Sequence, residues 1–133
     1  MQTSVAVGNA QLDAIEATIG TAPILRAYTG AAPADCAQAA SGTLLVEMTL
    51  PSDWMAAAAS RTKAKSGTWQ DASANAGGTF GHYRIYDSAG TTCHIQGTAG
   101  GPSSGAEIEF DSATVTAGQS VTINTYAWTG GNA

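Results

Sequence analysis

The chain has 133 residues, of which 44% are hydrophobic and only 11% charged, with a net charge of −5 and a pI near 4.6. That length holds one domain with its own core and leaves no room for two. An acidic, charge-poor chain excludes a dedicated nucleic-acid binder, which needs a basic footprint to displace counterions, and no apolar run approaches the roughly 18 residues of a membrane span.

Soluble domains carry roughly 25% charged residues; here 27 Ala, 16 Gly, 17 Thr and 11 Ser stand in their place. A free monomer keeps itself soluble with a mixed-charge surface, so a coat of small neutral residues points to a surface lying against other subunits. The plain alternative is a small β domain with Ser and Thr on its outside. The first residues, MQTSVAVG, lack the basic and apolar regions of a signal peptide, which gives the expectation of a chain made in the cytosol, with residues 1–8 as a short arm. In that compartment Cys36 and Cys93 are expected as two thiols and not a bridge.

Residues 9–133 then read as one domain. NAQLDAIEATIG (9–20) predicts a helix, since Leu12, Ile15 and Ile19 recur on one face, with Asn9 as N-cap and Gly20 past the end. ILRAYTG (24–30) and TLLVEMTL (43–50) predict strands, joined by a loop between Pro33 and Gly42. PSDWMAAAA (51–59) predicts a helical turn on the strength of its alanines, and SRTKAKSGTW an exposed loop leading into a strand at 68–71. ASANAGG predicts a flexible connection. FGHYRIYDS (80–88) and TTCHIQGTA (91–99) predict a hairpin turning at Ser88, Ala89 and Gly90. AEIEF (106–110) and SVTINTYAW (120–128) predict two last strands, with a turn at Ala117 and Gly118. Seven or eight short strands with turn signals every 8 to 12 residues or so predict a mainly β fold, a β-sandwich or jelly-roll-like domain with one short N-terminal helix.

The hairpin sets Cys93 beside His94. Neighbours in a strand point to opposite faces, so thiol and imidazole cannot form a nucleophile–base dyad; Cys93 is expected beside Ile95 as a small core residue, and His94 with Gln96. His94 could meet His82 across the hairpin, but two histidines alone make a weak metal site. Glu107, Glu109 and Asp111 alternate with Ile108 and Phe110, which places three carboxylates on one face. Arg61, Lys63 and Lys65 form the only compact positive charge, and the two sets are expected to meet between subunits. Trp54, Trp69 and Trp128 could stack on sugars, though packing in a core or interface is the commoner use of such rings. No Gly-x-Gly-x-x-Gly, Walker loop or Gly-x-Ser-x-Gly elbow is present. No catalytic or metal residues are nominated, and no cofactor is expected.

The segments NAQLDAIEATIG, ILRAYTGAAPADCAQAASGTLLVEMTLP, HYRIYDSAGTTCHIQGTAG and TVTAGQSVTINTYAW together look like a family of small tailed-bacteriophage virion proteins, over nearly the whole chain. The resemblance is carried by turn and strand signatures and is weakest between Trp54 and Gly78. It implies a non-enzymatic, β-rich accessory protein of the particle: a capsid decoration or cement protein, or a neck or tail component. Its partners would be the major capsid protein or other virion subunits, with homo-oligomers formed in the host cytoplasm and neither nucleic acid nor membrane involved. A surface carbohydrate-binding module is the alternative.

Overall fold

The computed structural model describes residues 1–131, in which one helix precedes eleven short strands. The helix α1 runs Val5–Ile19, four residues longer at its start than the sequence predicts. Ser4 is the N-cap, its hydroxyl accepting the Val7 amide at 3.2 Å. Asn9 is unavailable for that role because its carboxamide oxygen accepts the Arg61 amide at 2.9 Å. Residues 5–8, expected in an arm, are thus the first turn of α1. The helix stops at Gly20, whose φ of +92° is one that glycine adopts without penalty.

The main sheet contains β1 (Ile24–Tyr28), β2 (Leu44–Thr49), β6 (His82–Tyr86), β7 (Cys93–Gly100) and β8 (Ile108–Glu109), in the order β2-β1-β6-β7-β8. All neighbours are antiparallel except β7 and β8. Three two-stranded ladders complete the fold: β3 (Thr62–Ala64) with β11 (Ala127–Thr129), β4 (Trp69–Asp71) with β10 (Val121–Ile123), and β5 (Gly78–Thr79) with β9 (Thr114–Val115). The fold is mainly β with one helix, and the hairpin at 80–99 forms where its alternation and turn residues place it. SVTINTYAW does not form one strand: it breaks into β10 and β11, which pair with different partners.

The alanine run is not helical. Residues 55–65 fold back on themselves, with bridges Met55 to Lys65 and Ala59 to Thr62, around Ser60 and Arg61 at φ +49° and +62°. Left-handed φ at both central positions is what a tight two-residue hairpin turn requires. The turn therefore converts the predicted helix and the predicted RTKAK loop into two arms of one hairpin, the second arm being β3. Tertiary pairing here outweighs the helix propensity of alanine.

One hydrophobic core forms between the main sheet and the ladders. Leu25 and Ala27 of β1, Tyr83 and Ile85 of β6, and Trp69, Val121 and Ile123 of β4 and β10 all belong to it. β6 is buried at every position. Its second face, carrying His82, Arg84 and Tyr86, lies under the loop joining β1 to β2, because Arg84 Nη2 donates to the carbonyls of Cys36 and Gln38 at 2.9 and 2.8 Å. The free edge of β2 is also covered: Asp71 Oδ2 accepts the Glu47 amide at 3.0 Å, and the Asn75 amide donates to Leu45 O at 2.8 Å.

Candidate functional site

The cations are bound within the chain. Lys63, 2% exposed, reaches from β3 under α1 and pairs with Asp13 at 2.7 Å and Glu16 at 2.6 Å, while also donating to Ala56 O. Arg61 is buried too; its guanidinium donates to the Thr3 and Ser4 carbonyls, the Thr3 hydroxyl and Gly131 O. Gly8 makes room for it, since a Cβ there would lie 2.8 Å from Arg61 Nη1. Lys65 donates to Gly67 O at 2.8 Å and sits over the Trp69 ring. Arg26 pairs with Glu47 at 2.5 Å. Arg84 makes no ion pair among the described residues; its partners are carbonyls, the Cys93 sulfur and the Tyr86 ring.

This arrangement corrects the expected role of the RTKAK segment. Arg61 and Lys63 fasten α1 to β3 and are not free to bind another subunit. Lys65 alone shares a surface cleft with Glu107 and Glu109, and does so within one chain. Glu107 is exposed and Glu109 half-buried, while Ile108 and Phe110 are buried, so the predicted alternation holds even though only Ile108 and Glu109 lie in a strand. Asp111 is exposed.

The tryptophans also depart from an exposed platform. Trp54 and Trp69 are fully buried, with ring centroids 6.0 Å apart, and Trp54 Nε1 donates to Gly20 O at the end of α1 at 2.9 Å. Trp128 is half-buried and stands edge-on to Trp54 at 5.5 Å. It lines a cleft of about 560 Å³ between α1 and the sheet, walled by Leu12 and Ile15 on the helix and by His94, Ile95 and Gln96 on β7. A hydrogen-bonded chain forms the floor. Trp128 Nε1 donates to the Tyr126 hydroxyl at 2.8 Å, the two hydroxyls of Tyr126 and Tyr83 lie 2.7 Å apart, and Tyr83 donates to Glu107 Oε2 at 3.2 Å. Burial, then the neighbouring Tyr126 and Glu107, push the Tyr83 phenol far above its ordinary range, so it stays a proton donor. Gly97 lets Glu107 reach the floor; a Cβ there would overlap its carboxylate. Such a cleft, apolar on its helix wall with the Glu107 carboxylate at its floor and the His94 imidazole on its β7 wall, can bind an amphipathic surface. Sequence alternation could place these residues on their strands, but the meeting of helix and sheet that forms the cleft carries no local signal.

Cys93 and His94 do not cooperate, as strand geometry predicts, but their surroundings differ from expectation. A bulge sets Tyr86 opposite Cys93 and Ile85 opposite Ile95. Ile95 packs on the core, whereas Cys93 lies on the Arg84 face, half-buried, with Arg84 Nε donating to its sulfur at 3.2 Å. His94 borders the helix cleft. His82 is remote from it, opposite Thr98, stacked on Tyr28 at 5.1 Å with Nδ1 2.8 Å from Gly30 O. Among the described residues, no group of three or more His, Cys, Asp or Glu side chains is placed to hold a metal ion, and no helix is long and apolar enough to cross a membrane. No protein-family model, curated protein or solved structure matches the chain.

Proposed function

We propose that the chain is a non-enzymatic structural protein of a tailed-bacteriophage particle, a capsid decoration or cement protein that binds the assembled shell. The observation that carries this reading is the inward use of positive charge: all five Lys and Arg side chains are engaged in contacts within the fold. What remains outside is a surface rich in small residues whose charge is mainly acidic, with Asp35, Asp53, Glu107 and Asp111 exposed beside exposed Val5, Val7 and Ile15 on α1, a surface suited to contact with other protein subunits. The resemblance of the strand and turn signatures to small virion proteins supports the same reading. Its partners are the major capsid protein or other virion subunits and further copies of this chain; assembly takes place in the host cytoplasm and the protein resides in the virion. A cement protein stabilises a shell by binding its assembled form in preference to free subunits, so the gain follows mass action. The accompanying architectural proposal is a sandwich of jelly-roll type, supported by the packing of the small ladders across the five-stranded sheet.

Purified particles analysed by quantitative mass spectrometry test the reading. A shell protein following capsid symmetry gives on the order of hundreds of copies per particle. About six to twelve copies would transfer the chain to a neck or tail ring, and its absence from particles would overturn the virion reading altogether. The carbohydrate-binding alternative rests on Trp128 alone, because Trp54 and Trp69 are buried; glycan-dependent quenching confined to Trp128 would favour it.

A further inference from the structure

The β1–β2 loop and the β6–β7 hairpin bring the only two cysteines of the chain together. Both residues line a solvent-open cavity of about 270 Å³ with Gln38, Arg84, Tyr86 and Thr91. Arg84 bridges the pair, donating from Nε to the Cys93 sulfur and from Nη2 to the Cys36 carbonyl. Both residues are half-buried, so a small oxidant can reach them. The guanidinium, without a carboxylate partner among the described residues, offsets part of the cost that burial puts on negative charge at the Cys93 sulfur.

We propose that Cys36 and Cys93 form a reversible redox pair that closes to a disulfide, strapping the β1–β2 loop onto the hairpin. The oxidant is a small-molecule disulfide or a peroxide. With a disulfide, one protein thiolate attacks an oxidant sulfur and releases one thiol; the second protein thiolate then attacks the mixed disulfide and releases the other. The protein loses two protons and two electrons, and the oxidant is reduced to two thiols. With peroxide, the first sulfur becomes a sulfenic acid with loss of water, and the second displaces hydroxide from it as a second water. The inference is independent of the virion reading: it needs only that the folded chain meet an oxidant.

The test uses the intact wild-type chain, equilibrated with graded mixtures of reduced and oxidised glutathione, quenched with an alkylating agent and weighed. The expected result is loss of both alkylatable thiols together, a mass about 2 Da lower, and a peptide map joining Cys36 to Cys93 in monomeric protein. Cys36→Ser, still folded by circular dichroism, abolishes that mass loss, and oxidised wild type is cleaved within residues 34–41 about tenfold more slowly than reduced. Two thiols alkylated in the most oxidising mixture, two separate glutathione adducts, or disulfide-linked dimers in place of the internal bridge would each overturn the proposal.

Discussion

Lys63 is the residue whose environment differs most from its sequence context. A lysine between Thr62 and Ala64 in a basic stretch reads as solvated, yet it is 2% exposed because its partners Asp13 and Glu16 come from α1. That pairing is non-local, so no window of sequence encodes it. Lys63 is the buried member while Asp13 stays half-exposed, so Lys63→Ala loses charge-assisted hydrogen bonds and the packing of the lysine stem without stranding a buried charge, and is expected to lower unfolding stability by about 1–3 kcal/mol, measured by urea denaturation, with Lys63→Met losing less. The pair also sets a pH window. Hydrogen bonds from Lys63 and then from the Ala58 amide hold the Asp13 carboxyl below its ordinary 3.8, so its contribution is whole above that value and disappears as pH falls through the lower folded one. Burial alone would lower the Lys63 value, but its hydrogen bonds to Asp13 and Glu16 outweigh that and raise it above 10.5; its contribution is whole below 10.5 and disappears as pH rises through the higher folded value. Circular dichroism at 222 nm should therefore hold steady between these limits and fall outside them, and in Lys63→Met the acid limb should begin at higher pH. Cys93 titrates separately. Burial, reinforced by Cys36 and opposed by Arg84, pushes its thiol up to about 11, so alkylation should be slow at neutrality and quicken about tenfold per pH unit towards that value.

At the scale of elements, the hairpin at 80–99 was readable because alternation and turn residues agree, and β1 and β2 for the same reason. The hairpin at 55–65 was not, since Ser60 and Arg61 replace the glycine or asparagine that advertises such a turn. Their left-handed backbone is held by the grip of Arg61 on the start of α1, and the strain is repaid in tertiary contacts. Ser60→Gly should relieve it and raise stability by about 1 kcal/mol, whereas Arg61→Gly should lower the melting temperature despite the same relief. The reverse order of melting temperatures would refute this account of the turn. The close approach of β6 to the β1–β2 loop gives a second test: a Cβ at position 81 would lie 2.1 Å from Gly30 O, so Gly81→Ala should cost about 1–3 kcal/mol.

For the whole molecule, length pointed to one domain and the spacing of strand and turn signals to a mainly β fold, while the site remained hidden because every wall of the helix cleft comes from a different part of the chain. Ile15, exposed on that cleft, supplies the test of the assembly reading: Ile15→Glu should leave the monomer folded and reduce its occupancy on particles, as counted by mass spectrometry. The covered edge of β2 bears on the same question. A row of unpaired amides and carbonyls there would invite a neighbouring chain to add itself as another strand, but Asp71 and Asn75 already occupy Glu47 N and Leu45 O. On the proposed assembly, neighbouring copies meet no open row along that margin, and loss of the Asp71 carboxylate would free the Glu47 amide alone, a single rung of such a template.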